Sequence, residues 1–287
     1  MDQLNLLGKL DKVAGVCRRL GLPNLPPVGK RILKTFIPDH LSVNVDGFAV
    51  NASIEHRSYL DALRKGEVEN FMTRLFSSVI RPGMTVLDVG AFVGWYALLA
   101  ARQVGPLGKV YAFEADPRNY QLLVENLWRN KLDERVVPVP KAVSNDAGTK
   151  SFFLHGGDQS RSSLIATDAR AEQIVVETIV LDEVFGTGLK PDIIKMDIEG
   201  GEIHALNGMD RLLAPVDRDV KMFVECNPGS LRLAGGSGSA LVARLRELGF
   251  NLFIIDESKR GLAPLDSRIE NAKYVNLYCT RPSSFAP

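Results

Sequence analysis

The sequence predicts an α/β protein in which a parallel sheet carries helices on both faces, with an N-terminal helical cap ahead of it. Three observations lead there. From Val86 onward, short apolar runs alternate with stretches of helical period, the pattern of strand–helix–strand units. Several of those runs finish in or beside an acid, at Asp88, Glu114, Asp197 and Glu225. Ligands of open α/β sheets bind beyond the carboxyl ends of strands, so acids placed there are candidates for chemistry. Residues 1–45 follow a different, basic and amphipathic pattern, and the chain is therefore expected to divide into a cap (1–60) and a larger α/β domain (61–287).

In the cap, Leu4, Leu7 and Leu10 recur at helical spacing, and Val16, Cys17 and Leu20 continue the same face. Gly21 to Pro27 stops that helix, and a second basic stretch runs from Lys30 to Phe36. Such an arm can cap the domain with its charged face in water, or touch a membrane surface or an acidic substrate. Ser42 to Asn51 alternates like a strand pair around Asp46-Gly47, a hairpin signal. An amphipathic helix is expected over 68–79, and Arg81-Pro82-Gly83 breaks the chain before the first core strand.

The alternation then runs strand 86–89, helix 95–103, strand 109–114, helix 117–130 and strand 136–139. Pro117 suits a helix start, and Pro138 and Pro140 weaken an edge strand. Residues 149–154 and 173–181 read as an inserted antiparallel pair flanking a polar loop, 156–170, that suits a substrate-facing position. Strands follow at 192–198, 220–225, 250–255 and 274–280, with helices at 202–213 and 239–248 between them.

Composition narrows the function classes. The chain is 45% hydrophobic and 24% charged with a net charge of +1, so no basic excess points to nucleic acid. Cys17, Cys226 and Cys279 are far apart and odd in number, which favours buried thiols over disulfides or a metal site. No apolar run approaches the length of a membrane span, and the N-terminus lacks a signal-peptide pattern, so a cytoplasmic protein is the simplest reading.

The stretch Asp88-Val89-Gly90-Ala91-Phe92-Val93-Gly94 joins the first core strand to its helix. Gly90 and Gly94 carry no Cβ and leave room for a ligand against backbone, and a helix start presents free N–H groups. The dinucleotide fingerprint is G-x-G-x-x-G, whereas here Asp88 stands where its first glycine would be. A carboxylate there repels a pyrophosphate but can hold a cationic amino-acid group. Glu114, 24 residues beyond Gly90, is placed to accept both hydroxyls of a ribose. An adenosine with a positive amino-acid end fits this pair better than NAD, and that points to S-adenosylmethionine.

The run Pro191-Asp-Ile-Ile-Lys195-Met-Asp197-Ile-Glu199-Gly-Gly-Glu202 places a lysine and an acid two residues apart on one strand face. They can pair, or face a reacting group. The structural alternative is that Asp197 or Glu199 caps the following helix and Lys195 neutralises them.

Taken together, Asp88–Gly94, then Ala112-Phe-Glu-Ala-Asp-Pro117, then Ile194–Glu202 resemble the ordered motifs of the FkbM family of S-adenosylmethionine-dependent methyltransferases, over about residues 84 to 226. The family usually has Asn where Phe92 stands and Ala where Gly201 stands. The resemblance implies the seven-stranded class I methyltransferase sheet, Rossmann-like, with helices on both faces and the last strand antiparallel. It implies S-adenosylmethionine as cofactor and O-methylation of a saccharide or a polyketide-type small molecule, with N-methylation of a peptide or amine, or a non-catalytic cofactor-binding module, as alternatives. Carried over by position, Gly90, Ala91, Phe92 and Gly94 hold the methionine end and Glu114 the ribose, while Ala142 and Val143 flank the adenine. Asp197 is then the first choice for a base, with Lys195 beside it. A magnesium ion held by Asp197, Glu199 and Glu225 is the other route to an activated acceptor.

Overall fold

The computed structural model describes residues 40–155, 162–166, 171–186, 188–214 and 219–281. The basic arm with Cys17, and most of the polar loop 156–170, lie outside them. Two compact units divide between Val68 and Glu69.

In the first unit, β1 (His40–Val45) and β2 (Phe48–Ser53) form the antiparallel hairpin expected from Asp46-Gly47. Both turn residues have positive φ, +50° and +82°, which a two-residue hairpin loop of matching twist requires. The helix α1 (Arg57–Lys65) packs on both strands and stops at left-handed Gly66. The expected junction at residue 60 falls inside α1, and the division comes only after the helix has closed on its hairpin.

The second unit opens with α2 (Asn70–Val79), whose first amides, on Phe71 and Met72, donate to the Glu257 carboxylate at 2.8 Å each. Then come β3 (Thr85–Val89), α3 (Trp95–Val104), β4 (Lys109–Phe113), α4 (Pro117–Arg129) and β5 (Val136–Val139). Asp116 caps α4 by accepting from the Arg118 N–H, and Pro117 takes its first position. Three strands, β6 (Ala142–Val143), β7 (Gly148–Leu154) and β8 (Glu172–Ile179), make a separate small sheet in the order β6-β8-β7, with β7 and β8 antiparallel as expected.

After α5 (Leu181–Phe185) the main sheet resumes with β9 (Ile193–Met196). The expected helix 202–213 is broken into α6 (Glu202–Asn207) and α7 (Asp210–Leu213). Gly208 stands at the break, packed so closely on the Ser144 carbonyl that a Cβ there would meet it at 2.4 Å. The remainder is β10 (Lys221–Cys226), α8 (Pro228–Leu233), α9 (Gly238–Glu247), β11 (Asn251–Asp256), β12 (Gly261–Ala263), α10 (Arg268–Asn271) and β13 (Val275–Thr280).

The main sheet runs β12-β11-β13-β10-β9-β3-β4-β5. Its central pairs are parallel, while β13 lies antiparallel between β10 and β11. This is the class I methyltransferase sheet of seven strands, extended by the short edge strand β12. One sheet face packs Leu87, Val89, Ile194, Met196 and Val224 against Leu206, Leu241 and Leu245. On the other face, edge-to-face and tilted contacts join Phe76, Tyr96, Phe223 and Tyr278. Cys226 and Cys279 are buried, free thiols. Among the described residues no helix is long and apolar enough to cross a membrane.

Candidate functional site

The strand register assembles the site. One row across the sheet reads Asp88, Lys195, Phe223, Tyr278, each residue directly opposite the next. One level nearer the carboxyl ends, Asp197 follows β9, and Glu225 on β10 stands opposite Asn276 on β13. Period-two alternation therefore puts Asp88, Lys195, Asp197, Glu225 and Asn276 on one face, above the aromatic floor.

Lys195 is 3% exposed. Its Nζ donates to Asp197 Oδ2 at 3.2 Å and lies 4.7 Å from the centre of the Tyr96 ring. Burial works against its charge, but Asp197, Asp88 and Glu69 outweigh it and hold the ammonium firmly protonated. Of the two arrangements the sequence allows for this lysine, the ion pair with Asp197 is present. The Asp197 side chain keeps 35% exposure at the strand tip, so it remains open to a partner.

Asp88 is fully buried, and neither of its oxygens has a hydrogen-bond partner among the described residues. Burial raises it to about 6, with Asp197 pushing the same way, while the Lys195 charge and the Ala97 amide pull it down. Glu225 is pushed well above the usual carboxylate range by burial and by Asp197 and Glu199, and among the described residues its Oε2 has no hydrogen-bond partner.

The loop after β3 departs from its expected logic. Gly90 is needed because the chain after β9 passes against it: a Cβ would stand 1.8 Å from the Asp197 carbonyl oxygen. At Gly94 a Cβ would meet the Leu123 side chain at 2.6 Å. At Gly90 the neighbour is backbone, so packing by itself requires a residue without a Cβ there, whereas at Gly94 it is the end of a flexible side chain. Ala91 is buried, and its N–H, like that of Gly90, donates to the Phe113 carbonyl. Phe92 has φ +52°, a conformation that Asn tolerates far better than a bulky residue. Asn126 on α4 steadies this loop by donating to the Val93 carbonyl at 2.8 Å.

Glu114 ties the same loop to the tip of β4. Its Oε2 accepts from the Phe92 N–H at 2.7 Å and its Oε1 from the Asp116 N–H at 2.8 Å. Burial nevertheless raises its carboxyl to about 8, against the pull of those amides. Its folded pKa thus lies above the unfolded value of about 4.3, so between those values the folded state holds a proton that the unfolded state releases. Stability from this group falls as pH rises through that window. Glu114→Gln is expected to flatten the loss between pH 5 and 8, measured by urea unfolding at both, and an unchanged slope would remove Glu114 from it.

Ala142 and Val143 lie in β6, with Val143 packed in the main core and Ala142 against Phe152, Leu154 and Val176. The proposed metal set does not gather. Glu199, in left-handed conformation at φ +54°, accepts from Asn227 at 2.9 Å and from Ser230. Asp197 Oδ2 is paired with the Lys195 ammonium at 3.2 Å. Among the described residues no three His, Cys, Asp or Glu side chains converge as metal ligands. The tie within the turn after β9 also differs from expectation: Glu202, not Asp197 or Glu199, accepts from the Ile198 and Gly200 amides.

Sequence reasoning missed two members. Asn276 was visible only as a polar residue within the apolar run of β13. Glu69, just ahead of α2, had no signal at all, yet it accepts from Tyr96 Oη at 2.7 Å and from Asn276 Nδ2 at 2.5 Å. An open cleft along α4 is lined by Val124, Leu127, Trp128 and Pro138 together with Gln121, Glu125 and Asp133, and includes none of the strand-tip acids.

The group the fold calls for is S-adenosylmethionine, and the residues fit it. Asp88 offers two acceptors without partners, and each Glu114 oxygen keeps a lone pair beyond its one amide. Hexuronic acid methyltransferase AglP of Haloferax volcanii is 25% identical over 175 residues, 60% of this chain and 70% of its own. Ribosomal RNA large subunit methyltransferase E of Nitratidesulfovibrio vulgaris is 33% identical over 105 residues, 32% of this chain and 50% of its own. A solved S-adenosylmethionine-dependent O-methyltransferase from Thermotoga maritima overlays with TM-score 0.43 at 15% identity, covering 86% of this chain and 79% of that one. The sequence profile described as the Methyltransferase FkbM domain matches residues 88–252, more than half of the length. On that match, and with the sheet and strand-tip acids described above, the chain belongs to the FkbM family of S-adenosylmethionine-dependent methyltransferases.

Proposed function

We propose that the protein methylates a hydroxyl group of a saccharide or comparable small metabolite, with Asp197 accepting the hydroxyl proton. The observation that carries this reading is the Lys195–Asp197 pair: a carboxylate held at 3.2 Å from a buried ammonium, yet partly exposed at the tip of β9. S-adenosylmethionine supplies a methyl group on a positive sulfonium, which becomes a neutral thioether when the methyl carbon bonds to the acceptor oxygen. Such a donor needs no Lewis acid at the acceptor, but the oxygen must lose its proton. Asp197 accepts that proton. Asp88 binds the cationic amino-acid end, Glu114 the ribose, and the segment at Ala142 and Val143 borders the adenine.

The name of the Haloferax volcanii relative supports a saccharide acceptor. The near-neutral charge of the chain favours a small acceptor over nucleic acid. The test begins with calorimetric titration of S-adenosylhomocysteine, followed by transfer of labelled methyl to three acceptor pools: hexuronic-acid oligosaccharides, neutral sugars and total RNA. Asp197→Asn is expected to keep S-adenosylhomocysteine affinity and lose about 10²–10⁴ in turnover. Absence of binding would overturn the cofactor assignment. Transfer to RNA alone would overturn the acceptor, and full turnover in the variant would remove Asp197 from the chemistry.

A further inference from the structure

A second set of contacts converges on the same lysine from outside the matched span of the family profile. Glu69 has φ +40°, a left-handed backbone that a residue with a Cβ adopts at a cost. Its carboxylate spans two elements, accepting from Tyr96 Oη on α3 and from Asn276 Nδ2 on β13. Tyr96 is 7% exposed, with its hydroxyl between Glu69 and Thr73 Oγ1 and the edge-to-face contact to Phe76 fixing its ring. That ring lies over Lys195 Nζ, and Lys195 in turn donates to Asp197. Asn276 also stands opposite Glu225, the neighbour of Asp197.

We infer that Glu69 is a positioning residue, which through Tyr96 holds the Lys195 ammonium against Asp197. The physical reason is that a lysine has four rotatable bonds and, on a four-carbon stem, no fixed direction of its own. An aromatic face pinned at its hydroxyl removes that freedom on one side, so the ammonium keeps to the side of Asp197. In this left-handed conformation Glu69 makes both hydrogen bonds. The role so assigned rests on Asp197 being the proton acceptor, whereas the contact itself does not.

The test reads the contact directly. Full-length protein is prepared with lysine labelled at the ε carbon, and the Lys195 signal is identified by its disappearance in Lys195→Arg. In the wild type its ε protons are expected upfield of surface lysines, shifted by the Tyr96 ring. Glu69→Ala frees the Tyr96 hydroxyl and is expected to move that signal towards the surface range, while Glu69→Gln, which still accepts from Tyr96, restores it. A signal in Glu69→Ala at the wild-type position would overturn the inference. If Glu69→Ala does not fold, Tyr96→Phe serves instead: it keeps the ring but loses the pin, and an unmoved signal there overturns it equally. Titration of S-adenosylhomocysteine into the same samples completes the test. Affinity within about twofold of wild type is expected, and a loss of about tenfold or more would assign Glu69 to the cofactor pocket instead. Failure of the wild type to bind would count against the methyltransferase reading and leave the lysine signal fully readable.

Discussion

Gly90→Ala is expected to destabilise the second unit by about 3 kcal/mol or more, against about 1–2 kcal/mol for Gly83→Ala. The two glycines have the same backbone angle, φ +85° and +84°, so the conformational strain of adding a Cβ is matched. Their surroundings are opposite. Nothing lies within 4 Å of a Cβ at Gly83, while a Cβ at Gly90 would sit 1.8 Å from the Asp197 carbonyl oxygen. That oxygen belongs to backbone, and the Asp197 N–H is already bonded to the Val89 carbonyl at 2.9 Å, so no side-chain rotation relieves the overlap. The strand tips must part, which also draws Asp197 from its place above Lys195. Urea unfolding of both variants isolates the clash from the strain. Equal losses would show that β9 yields freely at this point.

Lys195→Met is expected to cost about 3–5 kcal/mol at pH 8, because it leaves buried carboxylates without their counter-charge. The loss depends on pH, and its sign follows from Asp88. That carboxyl already sits at about 6, and Lys195 is the strongest influence holding it down, so it rises further in the variant. A carboxyl raised above its unfolded value of about 3.9 loses stability as pH climbs from there through its folded value, since only the unfolded state has released the proton. The variant's deficit is therefore smallest near pH 4.5 and largest near pH 8. Lys195 itself remains charged throughout that range in the wild type. Denaturant midpoints at both pH values measure this, and a deficit constant with pH would mean that Lys195 matters for packing alone.

The sheet was legible because its strands are short apolar runs with acids at their tips, and because helical period returns between them. The expected strands all appear within one or two residues at most ends, including the inserted pair β7 and β8. The helix expected over 202–213 was misread because its apolar period continues through Gly208, whereas the chain breaks there and Asp182, remote in sequence, accepts from the Arg211 and Leu212 amides that open the second helix. In the site, Asp88, Lys195, Asp197 and Glu225 were legible because adjacent parallel strands bring their carboxyl ends together at one edge of the sheet, while the register that puts them on one face was not. What each residue touches was not legible. Glu199 and Asp197 are both strand-tip acids in sequence, yet a left-handed turn sends Glu199 to Asn227 and Ser230. Gly90 was read as space for a ligand because a missing Cβ looks the same in sequence whether a ligand or a neighbouring strand fills it. Glu69 lies far along the chain from its partner Asn276, and local patterns carry no information on such a pairing.

The position of β13 bears on how the molecule is made. The strand lies between β10 and β11, although both of those precede it in the chain. As the polypeptide leaves the ribosome, Lys221–Cys226 and Asn251–Asp256 emerge first, and neither can complete its ladder until Val275–Thr280 follows. For that interval the nascent chain displays two strand edges rich in Phe, Val, Leu and Ile, the kind of surface that pairs with other chains or engages chaperones. Closure of the sheet, and with it the arrival of Asn276 beside Glu225, waits for β13.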